Sequence, residues 1–146
     1  MILYLDTSAL VKRYVQESHS QKVVELIDRA DAVGVSVLAQ VEMAATLAKA
    51  ARQNWIERKE AETAWQDFLD HWPAYTRLPI SALTLERASR LAWENGLRGY
   101  DAMHFAAALV WQETMEAPVV LATFDRELWL AASKSGVTVW PEGLKP

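Results

Sequence analysis

Four apolar residues followed by an acid, Ile2-Leu3-Tyr4-Leu5-Asp6, open the chain and decide its fold. A short apolar run with no polar break is typical of a strand buried on both faces of a parallel sheet. Asp6 ends this strand, and Thr7-Ser8 begins a helical pattern that continues to Val15. A strand followed directly by a helix is the unit from which parallel α/β sheets are built.

The rest of the chain repeats this alternation. Apolar periodicity predicts further strands at residues 33–37, 75–80, 119–122 and 137–139. It predicts helices at residues 18–30, 38–52, 56–72, 83–94, 101–113 and 124–135. Asn95-Gly96 and Gly136 end the helices that precede them. The pattern therefore predicts an α/β fold, a three-layer α/β/α sandwich with a mainly parallel central sheet.

The composition predicts one soluble domain over residues 1–146, because 51% of the residues are hydrophobic and 23% are charged. No apolar run approaches the roughly 20 residues that a membrane-spanning helix needs, so we expect no membrane partner. The N-terminus has neither a basic segment nor a small-residue cleavage site, which argues against a signal peptide. Together with the absence of cysteine, this predicts a cytoplasmic protein.

The net charge of −4 argues against binding nucleic acid through the overall field of the protein. Any contact with nucleic acid must therefore be local. The candidates for phosphate contacts are basic residues on segments that carry or adjoin acidic residues at strand ends and helix starts or on a helix face. They are Lys12, Arg13, Lys49, Arg52 and Arg98.

Three aspartates stand at predicted strand ends or helix starts, namely Asp6, Asp101 and Asp125. Each of them alone could be a helix N-cap, since aspartate is a preferred capping residue. However, Asp6 and Asp125 both follow strands, and the carboxyl ends of parallel strands form the edge where such sheets bind ligands. We therefore expect these two side chains to lie on the same edge.

Glu42 is the fourth acid, within the predicted helix at residues 38–52. The apolar positions Leu38, Val41, Ala45 and Ala48 predict the face that this helix turns to the core. Because Leu38 and Ala45 neighbour Glu42 on the helix, its carboxylate is expected to be partly desolvated. Such a charge must be protonated, paired or bound to a cation. No lysine or arginine lies three or four residues away, so a partner must come from elsewhere in the fold.

Four carboxylates gathered in one cleft would repel one another without a hard cation. Magnesium prefers oxygen ligands and keeps several of its waters, so a few carboxylates are enough to hold it. A bound divalent ion can activate water and stabilise charge that develops on a phosphodiester. The acids therefore indicate phosphoryl chemistry.

Four segments in order resemble the motifs of PIN domains, and most closely those of VapC toxins from toxin–antitoxin pairs. They are Leu3-Tyr4-Leu5-Asp6-Thr7-Ser8-Ala9-Leu10, Ser36 with Glu42 six residues on, Asp101-Ala102-Met103-His104, and Thr123-Phe124-Asp125. The resemblance covers nearly the whole chain.

The resemblance implies a metal-dependent endoribonuclease that hydrolyses RNA by water activated by Mg²⁺ or Mn²⁺. It implies that Asp6, Glu42, Asp101 and Asp125 are the metal-site acids, and that Thr7 and Thr123 support ligands or ordered waters. It also implies a cognate antitoxin and a homodimer as partners.

Two further features leave alternatives open. His104 lies three residues after Asp101, where it could orient that carboxylate or pack against the sheet, and packing is the interpretation we favour. The stripe formed by Trp65, Phe68, Leu69 and Trp72 is expected to be mostly core, with some of it serving a second subunit or an antitoxin helix.

Other functions fit the sequence less well. Phosphatases of the haloacid-dehalogenase type need a second aspartate two residues after the first, where this chain has Ser8. Neither a glycine-rich dinucleotide turn nor a phosphate-binding loop is present. The alternative that stays open is a PIN domain outside a toxin–antitoxin system, either an RNA-processing nuclease or an inactive binding module.

Overall fold

A computed structural model describes residues 1–144 of the chain. Strands and helices alternate along it, as the sequence predicts. The strands are β1 (Ile2–Leu5), β2 (Ala32–Ser36), β3 (Thr76–Leu78), β4 (Val119–Ala122) and β5 (Thr138–Trp140). The helices are α1 (Thr7–Tyr14), α2 (Ser20–Asp28), α3 (Leu38–Arg52), α4 (Arg58–His71), α5 (Ala82–Asn95), α6 (Gly99–Met115) and α7 (Arg126–Ser133), and a 3₁₀ turn covers Trp72–Ala74.

The five strands form one sheet in the order β3-β2-β1-β4-β5, and every neighbouring pair is parallel. The strand order reverses at β1, which pairs with β2 on one side and with β4 on the other. This arrangement confirms the predicted parallel α/β architecture. It also creates, between the carboxyl ends of β1 and β4, the crevice where open α/β sheets bind ligands.

Two buried clusters, one on each face of the sheet, form the core. Leu3 and Leu5 of β1 pack with residues of α1 to α4, including Met43 and Phe68. Tyr4 points to the opposite face and packs with residues of α5 to α7. Alternate residues of β1 thus face opposite layers, which is the side-chain period of a strand.

The predicted core face of α3 is wrong. Ala39, Met43 and Leu47 are the buried residues of this helix. Of the predicted stripe, Val41 is 59% exposed, and Ala45 and Ala48 are exposed as well. Glu42 is nevertheless partly buried, because it lies one turn from Ala39 at the edge of the true core face.

The stripe formed by Trp65, Phe68, Leu69 and Trp72, on α4 and the turn after it, is largely internal. Phe68 is fully buried, and Trp65, Leu69 and Trp72 pack against its cluster as partly buried residues. Several exposed large apolar side chains lie elsewhere, around the start of α3 and along α5.

Element boundaries differ from the prediction in three places, of which the first two matter for the site. Helix α6 begins at Gly99 with Arg98 as its N-cap, so Asp101 lies in the first turn and is not itself a cap. Helix α7 begins at Arg126, with Asp125 as its N-cap. Strand β3 has only three residues, because Tyr75 ends the 3₁₀ turn before it.

Candidate active site

Asp6 links the first strand and helix to the site. Its Oδ1 accepts hydrogen bonds from the Ala9 amide (3.1 Å) and from Ser8 Oγ (2.6 Å), so the side chain caps α1. Its Oδ2 accepts a hydrogen bond from Thr123 Oγ1 at 2.6 Å. A carboxylate oxygen can accept two hydrogen bonds, so Oδ2 keeps one acceptor position while Oδ1 has none left.

Asp125 and Asp101 share one arginine. The Asp125 side chain caps α7 by accepting from the Leu128 amide at 2.9 Å. Arg98 donates from Nη2 to Asp125 Oδ2 (2.8 Å) and from Nε to Asp101 Oδ2 (3.0 Å). The Arg98 side chain is 72% exposed, whereas that of Asp101 is 13% exposed. The guanidinium therefore covers the two carboxylates from the solvent side.

Glu42 is held by a histidine from the opposite layer of the fold. Its Oε1 accepts hydrogen bonds from Thr7 Oγ1 (2.9 Å) and His104 Nε2 (2.6 Å). His104 is buried, and its Nδ1 lies 2.7 Å from the phenolic oxygen of Tyr4 in the central strand. The partner that Glu42 lacks within its own helix is thus His104, which contacts Glu42 and has no hydrogen bond with Asp101 among the described residues.

All four acids line one open cavity of about 290 Å³ at the carboxyl ends of β1 and β4. They come from four separate parts of the chain. The lining residues are Asp6, Thr7, Ser8, Val11, Glu42, Thr46, Arg98, Asp101, His104 and Asp125. Thr123 lies just beneath, fully buried, where it donates to Asp6 and accepts from the Asp125 amide at 3.0 Å.

Burial dominates the electrostatics of the site. It raises the pKa of Asp6, although His104, Ser8 and Thr123 act in the opposite direction. It also raises the pKa of Asp101, which the hydrogen bond from Arg98 opposes. Burial lowers the pKa of His104, but the hydrogen bond to Glu42 and the nearby carboxylates outweigh it, so this pKa lies above its usual value. The acids therefore create a field that favours a positive charge in the cavity.

The donor set fits a hard divalent ion. In the part of the chain that the structure describes, no three acidic or histidine side chains form a ready-made coordination group. Magnesium does not need one, since it retains several waters and is held through one or two carboxylates. Glu42 Oε2 and Asp101 Oδ1 accept no hydrogen bond within residues 1–144, and both belong to cavity-lining residues.

The five basic candidates lie in different surroundings. Arg98 lies in the cavity itself. Lys12 pairs with Glu17 at 3.1 Å, and Arg13 donates to the Tyr75 hydroxyl at 2.7 Å. Lys49 lies over the ring of Trp55, and Arg52 lines a groove between α3 and α4.

Sequence reasoning missed Ser8, Tyr4 and the bridging position of Arg98. Ser8 Oγ donates to Asp6 and accepts from the Phe124 amide at 2.8 Å, which ties the turns after β1 and β4 together. A hydroxyl two residues after the acid was the available signal for Ser8. For Tyr4 the signal was one phenol among aliphatic residues in a buried strand.

A parallel α/β fold with a carboxylate cavity at the strand-order reversal defines a class of protein, and comparison with known families identifies it. The family model described as "PIN domain" matches residues 3–133 of this chain. The chain belongs to the PIN-domain family.

Three individual proteins illustrate the similarity. The chain is 36% identical over 145 residues to Ribonuclease VapC49 of Mycobacterium tuberculosis, covering 99% of both chains. The fold is similar to that of FitAcB from Neisseria gonorrhoeae (TM-score 0.67, 18% identity, 96% of this chain and 97% of that chain). It is also similar to VapBC-5 of M. tuberculosis, a member of the VapBC family of toxin-antitoxin systems (TM-score 0.58, 19% identity, 95% and 96%).

Within residues 1–144, every helix is too short or too polar to cross a bilayer.

Proposed function

We propose that this protein is a metal-dependent endoribonuclease, the toxin of a VapBC-type toxin–antitoxin pair. The observation that carries the proposal is the convergence of Asp6, Glu42, Asp101 and Asp125 on one cavity from four separate parts of the chain. The full-length identity to a protein named as a ribonuclease supports it. We propose these four acids as the catalytic and metal-binding residues.

Mg²⁺ or Mn²⁺ is the proposed cofactor, held by Asp6, Glu42, Asp101 and Asp125. When bound, such an ion supplies a Lewis acid that makes water a better nucleophile and stabilises charge on a phosphodiester. We propose either ion, because Mg²⁺ and Mn²⁺ both take oxygen ligands.

The chain's own residues orient the acids and bind the substrate. Thr123 and Ser8 fix the carboxylate of Asp6, and Thr7 and His104 fix that of Glu42. Each of these hydrogen bonds restricts the side chain to one orientation, which reduces the cost of arranging the site when substrate binds. Arg98 carries the exposed guanidinium at the cavity mouth, where Nη1, which donates no hydrogen bond within residues 1–144, can donate to a phosphate.

The proposed protein partners are an antitoxin and a second copy of the chain. A groove of about 440 Å³ between α3 and α4 has an apolar floor that includes Leu47 and Trp65, with Arg52 and Arg58 at its rim. This chemistry suits the apolar face of an amphipathic antitoxin helix. For the homodimer we propose an apolar surface on α3, α5, α6 and the segment before α5. It is formed by the half-buried Leu38 and the exposed Val41, Ile80, Leu85 and Tyr100.

Two sequence predictions stay predictions. One is that residues 1–146 form a single domain, which one sheet shared by all five strands supports. The other is that the protein acts in the cytoplasm, where an RNA substrate would be found.

The test is cleavage of RNA by the purified protein. Incubation with total RNA should give new 5′ and 3′ ends at defined positions in the presence of Mg²⁺ or Mn²⁺. A chelator should abolish these ends. RNA that stays intact at millimolar metal would contradict the proposed activity.

Growth experiments separate the toxin from the alternative, a PIN-type RNA-processing nuclease or an inactive binding module. Induction of the protein alone should arrest growth, and co-expression of its genetic neighbour should relieve the arrest. Unimpaired growth together with RNA cleavage in vitro would favour the processing nuclease.

A further inference from the structure

An exposed tryptophan stands in the turn between α3 and α4. Trp55 is 68% exposed, and it belongs to neither of the buried clusters that form the described core. The exposed ring offers a flat aromatic face on which a ligand can stack. Exposure alone assigns no role, since Trp93 is more exposed still, so the surroundings of Trp55 carry the argument.

The backbone holds Trp55 in a fixed place. Asn54 adopts a left-handed conformation (φ 58°), and the Trp55 amide donates to the Ala50 carbonyl at 2.9 Å. In the same turn, the Gln53 amide donates to the backbone carbonyl of Lys49 at 2.9 Å. These bonds fix the backbone from which the ring projects, so binding a ligand here requires little ordering of the turn.

Trp55 lines a groove that meets the acid cavity. The groove has a volume of about 380 Å³. Val11 and Thr46 line both it and the cavity of the four acids. Along α3, Glu42, Thr46 and Lys49 share one face at helical spacing. From Glu42 to Lys49 the helix advances roughly 10 Å. A chain bound at the acids can therefore continue directly along this groove to Trp55.

The charge next to the ring is positive. The Nζ of Lys49 lies 5.8 Å from the centroid of the Trp55 ring. Lys49 forms no salt bridge within residues 1–144, whereas Glu17, the acid of this groove, is paired with Lys12. The groove thus offers an aromatic face and an unneutralised ammonium side by side. This combination binds single-stranded nucleic acid by stacking a base and contacting a phosphate.

We propose that Trp55 and Lys49 form a nucleobase subsite for single-stranded RNA, which binds a nucleotide flanking the cleaved phosphodiester. The base stacks on the indole, and the ammonium of Lys49 contacts the adjoining phosphate. This inference rests on the proposed ribonuclease function and deepens it. Because every base has a π face, the subsite contributes affinity with little sequence preference.

The experiment measures binding of a labelled single-stranded oligoadenylate by fluorescence anisotropy. The Asp6→Asn background prevents turnover, and Mg²⁺ is present throughout. Trp55→Ala should weaken binding roughly tenfold, the effect of losing one stacked base, while Trp55→Phe should restore most of it. Trp93→Ala is the matched control, because Trp93 is 88% exposed on α5, away from the groove. It should leave the affinity unchanged.

An abasic ribose-phosphate chain of the same length isolates stacking from charge. It should bind the parent and Trp55→Ala equally, whereas Lys49→Ala should weaken its binding because a phosphate contact is lost. Circular dichroism checks that each variant is folded.

The outcomes separate this inference from the proposed function. Oligoadenylate affinity that is unchanged in folded Trp55→Ala overturns the subsite, even if wild-type protein cleaves RNA. The same result with weaker capture of a co-purified protein partner would make the groove a protein-docking surface and also overturn it. Binding that depends on Trp55 while wild-type protein cleaves no RNA would overturn only the nuclease activity.

Discussion

Asp6 serves both the helix that follows it and the cavity. Its Oδ1 caps α1, while Oδ2 accepts from Thr123 and keeps a free acceptor position. Asparagine caps helices as well as aspartate does. The substitution Asp6→Asn can therefore remove the charge while it leaves the cap in place.

We expect Asp6→Asn and Asp101→Asn to lower RNA cleavage by more than about 100-fold, since even the residues that only orient metal ligands contribute about 10- to 100-fold. Cleavage rates on total RNA and far-ultraviolet circular dichroism are the measurements. Asp67→Asn, an exposed acid on α4, is the control and should retain full activity. Near-wild-type rates in both site variants would rule out the proposed metal site.

His104 connects the central strand to Glu42. Replacing it with asparagine leaves the buried Tyr4 hydroxyl and Glu42 Oε1 without their shared partner. We expect His104→Asn to reduce the free energy of unfolding by about 1–3 kcal/mol, the cost of unsatisfied buried polar groups. Urea unfolding measures this loss. His19→Asn, at an exposed position, should change stability far less, and equal losses would contradict the structural role.

Site residues differed in how well the sequence predicted them. The three aspartates could be named because each stands at a strand end or a helix start, whereas Glu42 was named from a core face that the structure does not have. The contacts of Tyr4 with His104 could not, because they lie 100 positions apart and depend on how α6 packs on the sheet. The same holds for Arg98, whose bridge to Asp125 spans 27 positions.

At the scale of elements, β2 and α6 approach unusually closely at Gly34. A Cβ at this position would lie 2.4 Å from Cζ3 of Trp111. We expect Gly34→Ala to destabilise the fold by about 1–3 kcal/mol, the usual cost of overpacking. Thermal or urea unfolding provides the measurement. Gly99→Ala is the control, since no atom lies within 4 Å of a Cβ there, and a loss of equal size in it would contradict the packing argument.

Helix α3 carries the second prediction at this scale. Val41 is 59% exposed at the proposed dimer surface. A charge there would be buried on association without a partner. Val41→Glu should therefore convert dimer to monomer in sedimentation velocity while the fold is retained. Val24→Glu, at a site 39% exposed on α2, should leave the dimer intact. A Val41→Glu variant that stays dimeric would place the interface elsewhere.

The orientation of α3 was predicted wrongly for a physical reason. Six of its fifteen residues are alanine, so more than one apolar stripe runs along it at helical spacing. Leu38, Val41, Ala45 and Ala48 form one stripe, and Ala39, Met43 and Leu47 form another. Periodicity identifies a helix, but it cannot choose between two apolar faces. The strands were easier to predict. In an apolar run such as Val119–Ala122, both faces are apolar, so the strand is largely buried whichever way it faces.

For the whole molecule, binding of a divalent ion should stabilise the folded state. The site carboxylates come from separate elements, so a bound ion links these elements in the folded state only. A metal at 100 times its dissociation constant adds about 2.7 kcal/mol. We expect millimolar Mg²⁺ or Mn²⁺ to raise the Tm of the wild type by several degrees, as measured by calorimetry.

Asp6→Asn should show a smaller rise in Tm, and sodium chloride at equal ionic strength should give none. A wild-type Tm that does not respond to either ion would contradict metal binding at these carboxylates.

The sheet order has a consequence for the synthesis of the protein. Asp6 is anchored by Thr123, which lies 117 positions later in the chain, and β1 is paired on one side by β4. A ribosome that is making this protein therefore holds an unfinished chain without a complete carboxylate cluster until almost the last segment has emerged. If the four acids act as proposed, we expect the RNA being translated to escape cleavage by the nascent chain until the polypeptide is nearly finished.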